Sequence, residues 1–179
     1  KDLNREINTH TLNLAYREIG TWRQMVVQKE YGVLPEGNFH PPADDRAVAL
    51  QRDPFEEAGG LLVKDESCFL CGIKCHKNVY DEEEDGTAGR FRAKLDYEPL
   101  ALLSVNLGIY DRDHALDLVA LCDELCLDAI SLGASLSYAM EWNRRHPEDP
   151  MAGGLAFGDP APIRAAITAR TASASATAQ

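Results

Sequence analysis

The sequence has no apolar run that approaches the roughly 20 residues needed by a membrane-spanning helix. It is also poor in positive charge, because 18 Lys and Arg residues stand against 29 Asp and Glu residues and leave a net charge of −11. Proteins that bind nucleic acids need a basic face to pair with phosphates, so this balance argues against a polyanion as partner. Neither a membrane span nor a nucleic-acid partner is therefore expected.

Cysteine is scarce, and the number of cysteines is odd, since the chain has five. No apolar signal segment precedes them, so the disulfide framework of an oxidising compartment is not indicated and a cytoplasmic location is expected. The chain begins Lys1-Asp2-Leu3, without an initiator methionine. We therefore expect either a processed protein or an internal piece of a longer one.

Three of the five cysteines lie close together, at Cys68, Cys71 and Cys75, in the spacing C-x2-C-x3-C. Thiolates are soft ligands, and a short loop can turn all three toward one centre, which suits an iron–sulfur cluster or zinc. Gly72 would let the backbone bend close to the metal. The alternative is that the three are small buried apolar side chains, because free cysteine packs well in cores.

A fourth ligand has to come from elsewhere, because an iron–sulfur cluster normally takes four cysteines. His76 follows the motif directly and would complete a Cys3His zinc site. Cys122 and Cys126 are the only other thiols in the chain. The spacing does not show which of His76, Cys122 and Cys126 would be the fourth ligand.

Hydrophobic periodicity predicts a mainly helical domain over residues 1–170, followed by a disordered tail of Ala, Ser and Thr over residues 171–179. Gly20-Thr21 is expected to interrupt the first helix, and Asp111 to cap a later one. The acidic run at residues 81–86 predicts a solvated turn, and the cysteine-rich loop is expected to lie between helices. Helices are predicted over residues 3–30, 45–57, 100–109, 112–125, 129–144 and 162–169, with a short strand over residues 91–97.

Seven short motifs then occur in an order found in a known family. They are G-T at 20–21, Y-G-V-L-P-E-G-N-F at 31–39, the cysteine motif at 68–75, D-Y-E at 96–98, N-L-G at 106–108, L-C-D-E-L-C-L-D at 121–128 and S-Y-A-M-E at 137–141. This order resembles the tungsten-containing aldehyde ferredoxin oxidoreductase family, from about residue 20 to residue 159.

The resemblance implies a fold like the helical second domain of that family. It also implies oxidation of aldehydes to carboxylic acids with water, at a tungsten (or molybdenum) atom held by two pterin dithiolenes. A 4Fe–4S cluster nearby would pass electrons to ferredoxin or another acceptor. In such an enzyme the cofactor performs the redox chemistry, while the protein supplies position and electrostatics.

Three sets of residues are implied by the resemblance as a site. The cluster ligands would be Cys68, Cys71 and Cys75. The pterin motif D-x-x-G-L-(C/D) would place Asp123, Leu127 and Asp128 at the cofactor, where carboxylates can accept hydrogen bonds from pterin N–H groups. The glutamate thought to act near the metal as acid, base or orienting group would be Glu98. The ordinary alternatives are carboxylates at helix ends and, for Glu98, at a helix start.

The sequence also departs from the family pattern. The first domain, a β-rich base for the pterins, and the second pterin motif with its cluster cysteine both fall outside the matched region, so another chain or segment is expected to supply them. Cys126 replaces the glycine of the pterin motif and adds a side chain there. Two alternatives stay open: a related reductase subunit of the benzoyl-CoA type, and a cofactor-free zinc module built on the cysteine motif and His76.

Overall fold

The computed structural model describes residues 2–177, and side chains within residues 2–169. This part of the chain forms a mainly helical fold with one small sheet, as predicted. The helices are α1 (Asp2–Thr9), α2 (Thr11–Glu18), α3 (Gln24–Glu30), α4 (Arg52–Glu57), α5 (Tyr97–Leu103), α6 (Arg112–Glu124), α7 (Ala129–Arg145) and α8 (Pro160–Thr177). The strands are β1 (Leu61–Glu66), β2 (His76–Glu82) and β3 (Ala88–Leu95), and 3-10 helices run over Gly20–Arg23, Arg46–Leu50 and Val105–Leu107.

Helices α6 and α7 follow their predicted bounds closely. Asp111 caps α6, and its carboxylate accepts the N–H of His114 at 2.9 Å. The break predicted at Gly20-Thr21 is confirmed, because the 3-10 helix there separates α2 from α3. A further break occurs at His10, whose side chain caps α2.

The cysteine-rich loop lies between two strands, so the prediction that it lies between helices was wrong. Strand β1 pairs antiparallel with β2, and β2 pairs antiparallel with β3. The turn between β2 and β3 covers residues 83–87, so the acidic turn predicted at residues 81–86 begins later than expected, because Asp81 and Glu82 belong to β2. Periodicity did not reveal β1 because it ends in the charged residues Lys64, Asp65 and Glu66. These residues are held by partners on β2: Asp65 binds Lys77 at 2.8 Å, and Glu66 accepts the hydroxyl of Tyr80 at 3.2 Å.

The core joins the sheet to the helices through fully buried side chains. Trp22 donates its indole N–H to the carbonyl of Leu50 at 2.8 Å and packs edge-on against Phe55, with ring centroids 4.9 Å apart. Helix α7 approaches α5 closely, since a Cβ on Gly133 would lie 2.5 Å from the carbonyl oxygen of Leu102. The core therefore depends on glycine at a helix crossing as well as on large apolar side chains.

Lys77 is fully buried although it carries a charge. Its ammonium donates to the Asp65 carboxylate at 2.8 Å and to the carbonyls of Arg17 at 2.6 Å and Lys74 at 3.1 Å. A buried ammonium needs such partners, because leaving it unpaired costs several kcal/mol. Strand β2 is thereby tied to β1, to the end of α2 and to the cysteine loop.

Helix α8 continues through Thr177, beyond the helix predicted over residues 162–169. Side chains from residue 170 onward, and residues 178 and 179 entirely, lie outside the described part of the chain. The division into a domain over residues 1–170 and a tail over residues 171–179 stays a prediction. None of the helices described between residues 2 and 177 has the length and apolar character needed to cross a membrane.

We predict that Gly20→Ala destabilises the protein more than Gly32→Ala does. Both glycines have a left-handed backbone, with φ of +75° and +66°, so an alanine at either position is strained by about 1 kcal/mol. Only at Gly20 would the new Cβ also collide with the carbonyl oxygen of Cys75, at 2.1 Å. We expect the free energy of unfolding in urea to fall by about 3 kcal/mol for Gly20→Ala, because steric overlap adds to the strain. Equal losses would contradict the close contact.

Candidate metal and cofactor site

The cysteine loop (residues 67–75) turns sharply between β1 and β2. The N–H of Cys71 donates to the carbonyl of Cys68 at 3.0 Å, which closes a tight turn. Leu70 and Lys74 both adopt positive φ, at +59° and +56°, a conformation that non-glycine residues rarely take. Such backbone is typical of functional loops that the surrounding structure holds in place.

The loop is held against the N-terminal helices by close backbone contacts. A Cβ at Gly72 would lie 2.2 Å from the side chain of Asn8 on α1, and the carbonyl of Cys75 occupies the space where Gly20 lacks a side chain. Gly72 therefore serves close packing against α1, and its φ is not in the left-handed region that would mark a special bend. The Lys74 carbonyl is fixed by Lys77.

All five cysteines are free thiols. Cys68 is exposed, while Cys71 and Cys75 are half-buried, so the interpretation of these three as core residues does not hold. Three free thiols on one anchored loop are ligands of the chemical type that a thiolate-bound metal requires. Within residues 2–169, however, no group of three or more His, Cys, Asp or Glu side chains is arranged to enclose an ion.

Lys94 lies at the end of β3, just ahead of α5. Its ammonium binds the carboxylate of Asp96 at 2.8 Å. Partial burial lowers the pKa of Lys94, but the ion pair with Asp96 and the smaller electrostatic effects of Cys68 and Asp123 outweigh it, so the pKa is raised. Residues from three separate elements therefore share one electrostatic neighbourhood.

Asp123 lies at the end of α6, within this neighbourhood. Desolvation by the surrounding protein raises the pKa of its carboxyl, and the nearby Asp96 adds to the shift while Lys94 opposes it. The carboxyl nevertheless remains accessible at the surface. It is thus available to a bound group and holds a proton more readily than an ordinary aspartate.

Asp128 and Leu127 form the connection from α6 to α7. Asp128 is the N-cap of α7, and its carboxylate accepts the N–H of Ser131 at 2.6 Å. This hydrogen bond lowers the pKa of Asp128. The carbonyl of Leu127 accepts the thiol of Cys122 at 3.1 Å. Asp128 therefore has a structural role in this connection, and its pterin-binding role stays a prediction.

Cys126, which replaces the glycine of the motif, occupies a backbone position suited to glycine. Its φ is +53°, and it is the left-handed residue that ends α6. The N–H of Cys126 donates to the carbonyl of Asp123 at 3.0 Å, and the next N–H, of Leu127, donates to the carbonyl of Cys122 at 2.9 Å. These two bonds form a Schellman motif, which explains why a glycine is favoured here.

Glu98 is exposed in the first turn of α5. The start of this helix is held by Thr21, whose hydroxyl accepts the N–H of Tyr97 at 3.0 Å and donates to Asp96 at 3.3 Å. Sequence reasoning did not single out Lys94 or Asp96 as site residues. Their positions depend on β3, whose bounds and pairing the sequence did not reveal.

The fold and these motifs together define the class of protein. A family model described as "Aldehyde ferredoxin oxidoreductase, domains 2 & 3" matches residues 1–174. The chain therefore belongs to the aldehyde ferredoxin oxidoreductase family, as the resemblance indicated.

The curated relatives that match this chain are named as tungsten-containing enzymes. A tungsten-containing aldehyde ferredoxin oxidoreductase of Pyrococcus furiosus is 30% identical over 146 residues, which are 81% of this chain and 22% of the relative. One of Pyrococcus horikoshii is 31% identical over 126 residues, 70% of this chain and 20% of the relative. The chain thus spans about a fifth of the length of the relatives it matches.

We predict that Cys126→Gly stabilises the protein. Glycine adopts φ of +53° without steric cost, so the free energy of unfolding should rise by about 1 kcal/mol. Cys126→Ala removes the thiol but keeps the Cβ, and should leave stability almost unchanged. Urea denaturation of the three proteins under reducing conditions measures this. An equal rise in both variants would show that the thiol, and not the backbone, causes the strain.

We predict that Asp123→Asn stabilises the protein at neutral pH and not in acid. Because the folded-state pKa of Asp123 is raised, ionisation costs folding free energy above the unfolded pKa, and this cost vanishes below it. The gain at pH 7 should be under about 1 kcal/mol, because solvent screens the accessible carboxyl. Denaturation midpoints at pH 7 and pH 3 test this, with Glu124→Gln as the neighbouring exposed control. A gain that persists at pH 3 would contradict the electrostatic cause.

Proposed function

We propose that this chain is the cluster-bearing part of an enzyme that oxidises aldehydes to carboxylic acids. The observation that carries the proposal is the anchored loop with three free thiols, Cys68, Cys71 and Cys75, in a member of the aldehyde ferredoxin oxidoreductase family. The relatives, named as tungsten-containing enzymes, support tungsten as the metal of the whole enzyme. The proposed acceptor is ferredoxin or another electron carrier, and the proposed location is the cytoplasm.

The three loop cysteines would bind three irons of a 4Fe–4S cluster. Cys122 is unsuited to be the fourth ligand, because it is fully buried and its thiol donates to the Leu127 carbonyl. Burial also raises the pKa of Cys122, which disfavours the thiolate that a metal needs. Exposed Cys126 remains as a candidate within the chain, and the other candidate is a cysteine outside it.

Asp123, Leu127 and Asp128 would position the pterins, and Glu98 would orient the substrate. The tungsten–pterin centre, when bound, supplies the two-electron oxidation of the aldehyde. Asp128 accepts one hydrogen bond from the N–H of Ser131. Because a carboxylate has about four acceptor positions, it can also accept a hydrogen bond from a pterin N–H. Asp123, whose pKa is raised, is the better group to hold a proton next to the cofactor.

The rest of such an enzyme would cover an apolar face around the cysteine loop. Helices α1 and α2 bury none of their own residues. Large apolar side chains are exposed on these helices and at the tip of the loop: Leu3, Leu12, Phe69 and Leu70 are each at least 70% exposed. A soluble surface rarely carries such a cluster without a partner. Because the chain spans about a fifth of its relatives, we propose the remaining domains as that partner.

We predict about four irons with matching sulfide per chain after anaerobic purification or reconstitution, and an EPR signal after dithionite reduction. Cys71→Ser should lose most of the iron, because it removes a cluster ligand. Cys122→Ser is the matched control and should keep it, since a serine hydroxyl can also donate to Leu127. Tungsten or molybdenum content of the same samples tests the pterin centre separately.

Two other outcomes would decide against parts of the proposal. Unchanged iron in Cys126→Ser would exclude Cys126 as the fourth ligand. Stoichiometric zinc without iron would overturn the redox function and favour the zinc module with His76.

A further inference from the structure

A fully buried lysine lies beside the cysteine loop. Lys77 follows Cys75 by two residues, and among residues 2–169 no other lysine or arginine is fully buried. Replacement of a buried ion pair by apolar side chains of similar volume is often neutral or even stabilising. Stability alone therefore does not explain why a lysine occupies this position.

The ammonium of Lys77 holds a strained part of the loop. It donates to the carbonyl of Lys74 at 3.1 Å, and Lys74 has a φ of +56° directly before Cys75. Backbone of this kind persists only where surrounding groups fix it. The same ammonium is itself fixed by the carbonyl of Arg17 at 2.6 Å and by Asp65 at 2.8 Å. The third cysteine of the motif is thereby held relative to α2 and β1.

The positive charge of Lys77 is screened less than that of its partner. The side chain of Lys77 is 0% exposed, whereas that of Asp65 is 40% exposed. Asp65 also lies 3.6 Å from the guanidinium of Arg52 and so divides its charge between two cations. Solvent weakens the field of an exposed charge much more than that of a buried one. A positive charge therefore remains effective beside the loop.

Such a charge acts on the redox state of a bound cluster. Reduction adds a negative charge, and the reduction potentials of iron–sulfur clusters depend on net charge, on hydrogen bonds and on exposure to solvent. A cation held nearby attracts the added electron. Its expected effect is to favour the reduced cluster.

Resting on the proposed function, we propose that Lys77 is a positioning residue for the cluster. Its ammonium holds the cysteine loop ready for metal, and its charge favours the reduced state of the bound cluster. Groups behind the ligands tune many metal sites in this way. Lys77 is not itself a ligand, because an ammonium has three donors and no acceptor.

The first test is a redox titration, followed by EPR, of the iron-loaded chain of 179 residues. In Lys77→Met the ratio of reduced to oxidised cluster at a fixed potential should fall about tenfold, which is about 59 mV for a one-electron couple. Lys64→Met makes the same change at an exposed position of β1 and should leave the ratio unchanged. Lys77→Gln, which keeps a donor but loses the charge, replaces Lys77→Met if that variant fails to fold.

Asp65→Asn separates the effect of charge from that of structure. It removes the negative charge of the pair, while its amide oxygen can still accept from Lys77, so the ratio should change in the opposite direction. A purely structural pair would shift the ratio in the same direction in both variants, because both disturb one contact. Shifts of the same sign, or no shift in Lys77→Met, would overturn the role of the charge.

The second test needs no metal. The N–H of Cys71 donates to the carbonyl of Cys68, and its hydrogen exchange in the metal-free chain reports the order of the loop. Exchange should be about tenfold faster in Lys77→Met and unchanged in Lys64→Met. Unchanged exchange in Lys77→Met would overturn the positioning role. Failure of the unchanged chain to take up iron would overturn the proposed function and the redox role together, whereas the exchange rates decide the positioning role independently.

Discussion

The buried ammonium of Lys77 is the constraint on which the site region depends. Its three partners come from β1, from the end of α2 and from the cysteine loop, and a charge without them would be costly in the interior. The sheet, the N-terminal helices and the loop must therefore keep their relative positions. Gly20 contributes to the same arrangement, since its missing side chain lets the carbonyl of Cys75 approach.

Candidate site residues near this anchor come from elements that are far apart in sequence. Lys94 at the end of β3 pairs with Asp96, and Cys68 of the cysteine loop and Asp123 at the end of α6 both contribute to its raised pKa. The same end of α6 leads through Cys126 to α7. The electrostatic neighbourhood of Lys94 thus includes residues of both the loop proposed for the cluster and the motif proposed for the pterins.

The sequence allowed prediction of the elements that are determined by residues close together in the chain. Helix α6 ends only one residue before its predicted end. Its bounds could be predicted because the cap Asp111 and the apolar spacing are local features of the sequence. Strands β1 and β2 were missed because cross-strand pairs hold their charged residues, and such partners are invisible to periodicity. Cys68, Cys71 and Cys75 could be selected as candidate metal ligands from their spacing alone. Lys94 could not, because its position relative to Cys68 and Asp123 depends on the pairing of β3.

The cysteine loop also has a consequence for the order of assembly. Both of its ends belong to the antiparallel pair of β1 and β2, so the contacts that frame it join residues close in sequence. Local contacts of this kind cost less chain entropy to form than the docking of distant helices, which favours their early formation. Cys68 stays exposed and Cys71 and Cys75 stay half-buried once the fold is complete. Folding of this part of the chain alone therefore leaves the three thiols within reach of solvent.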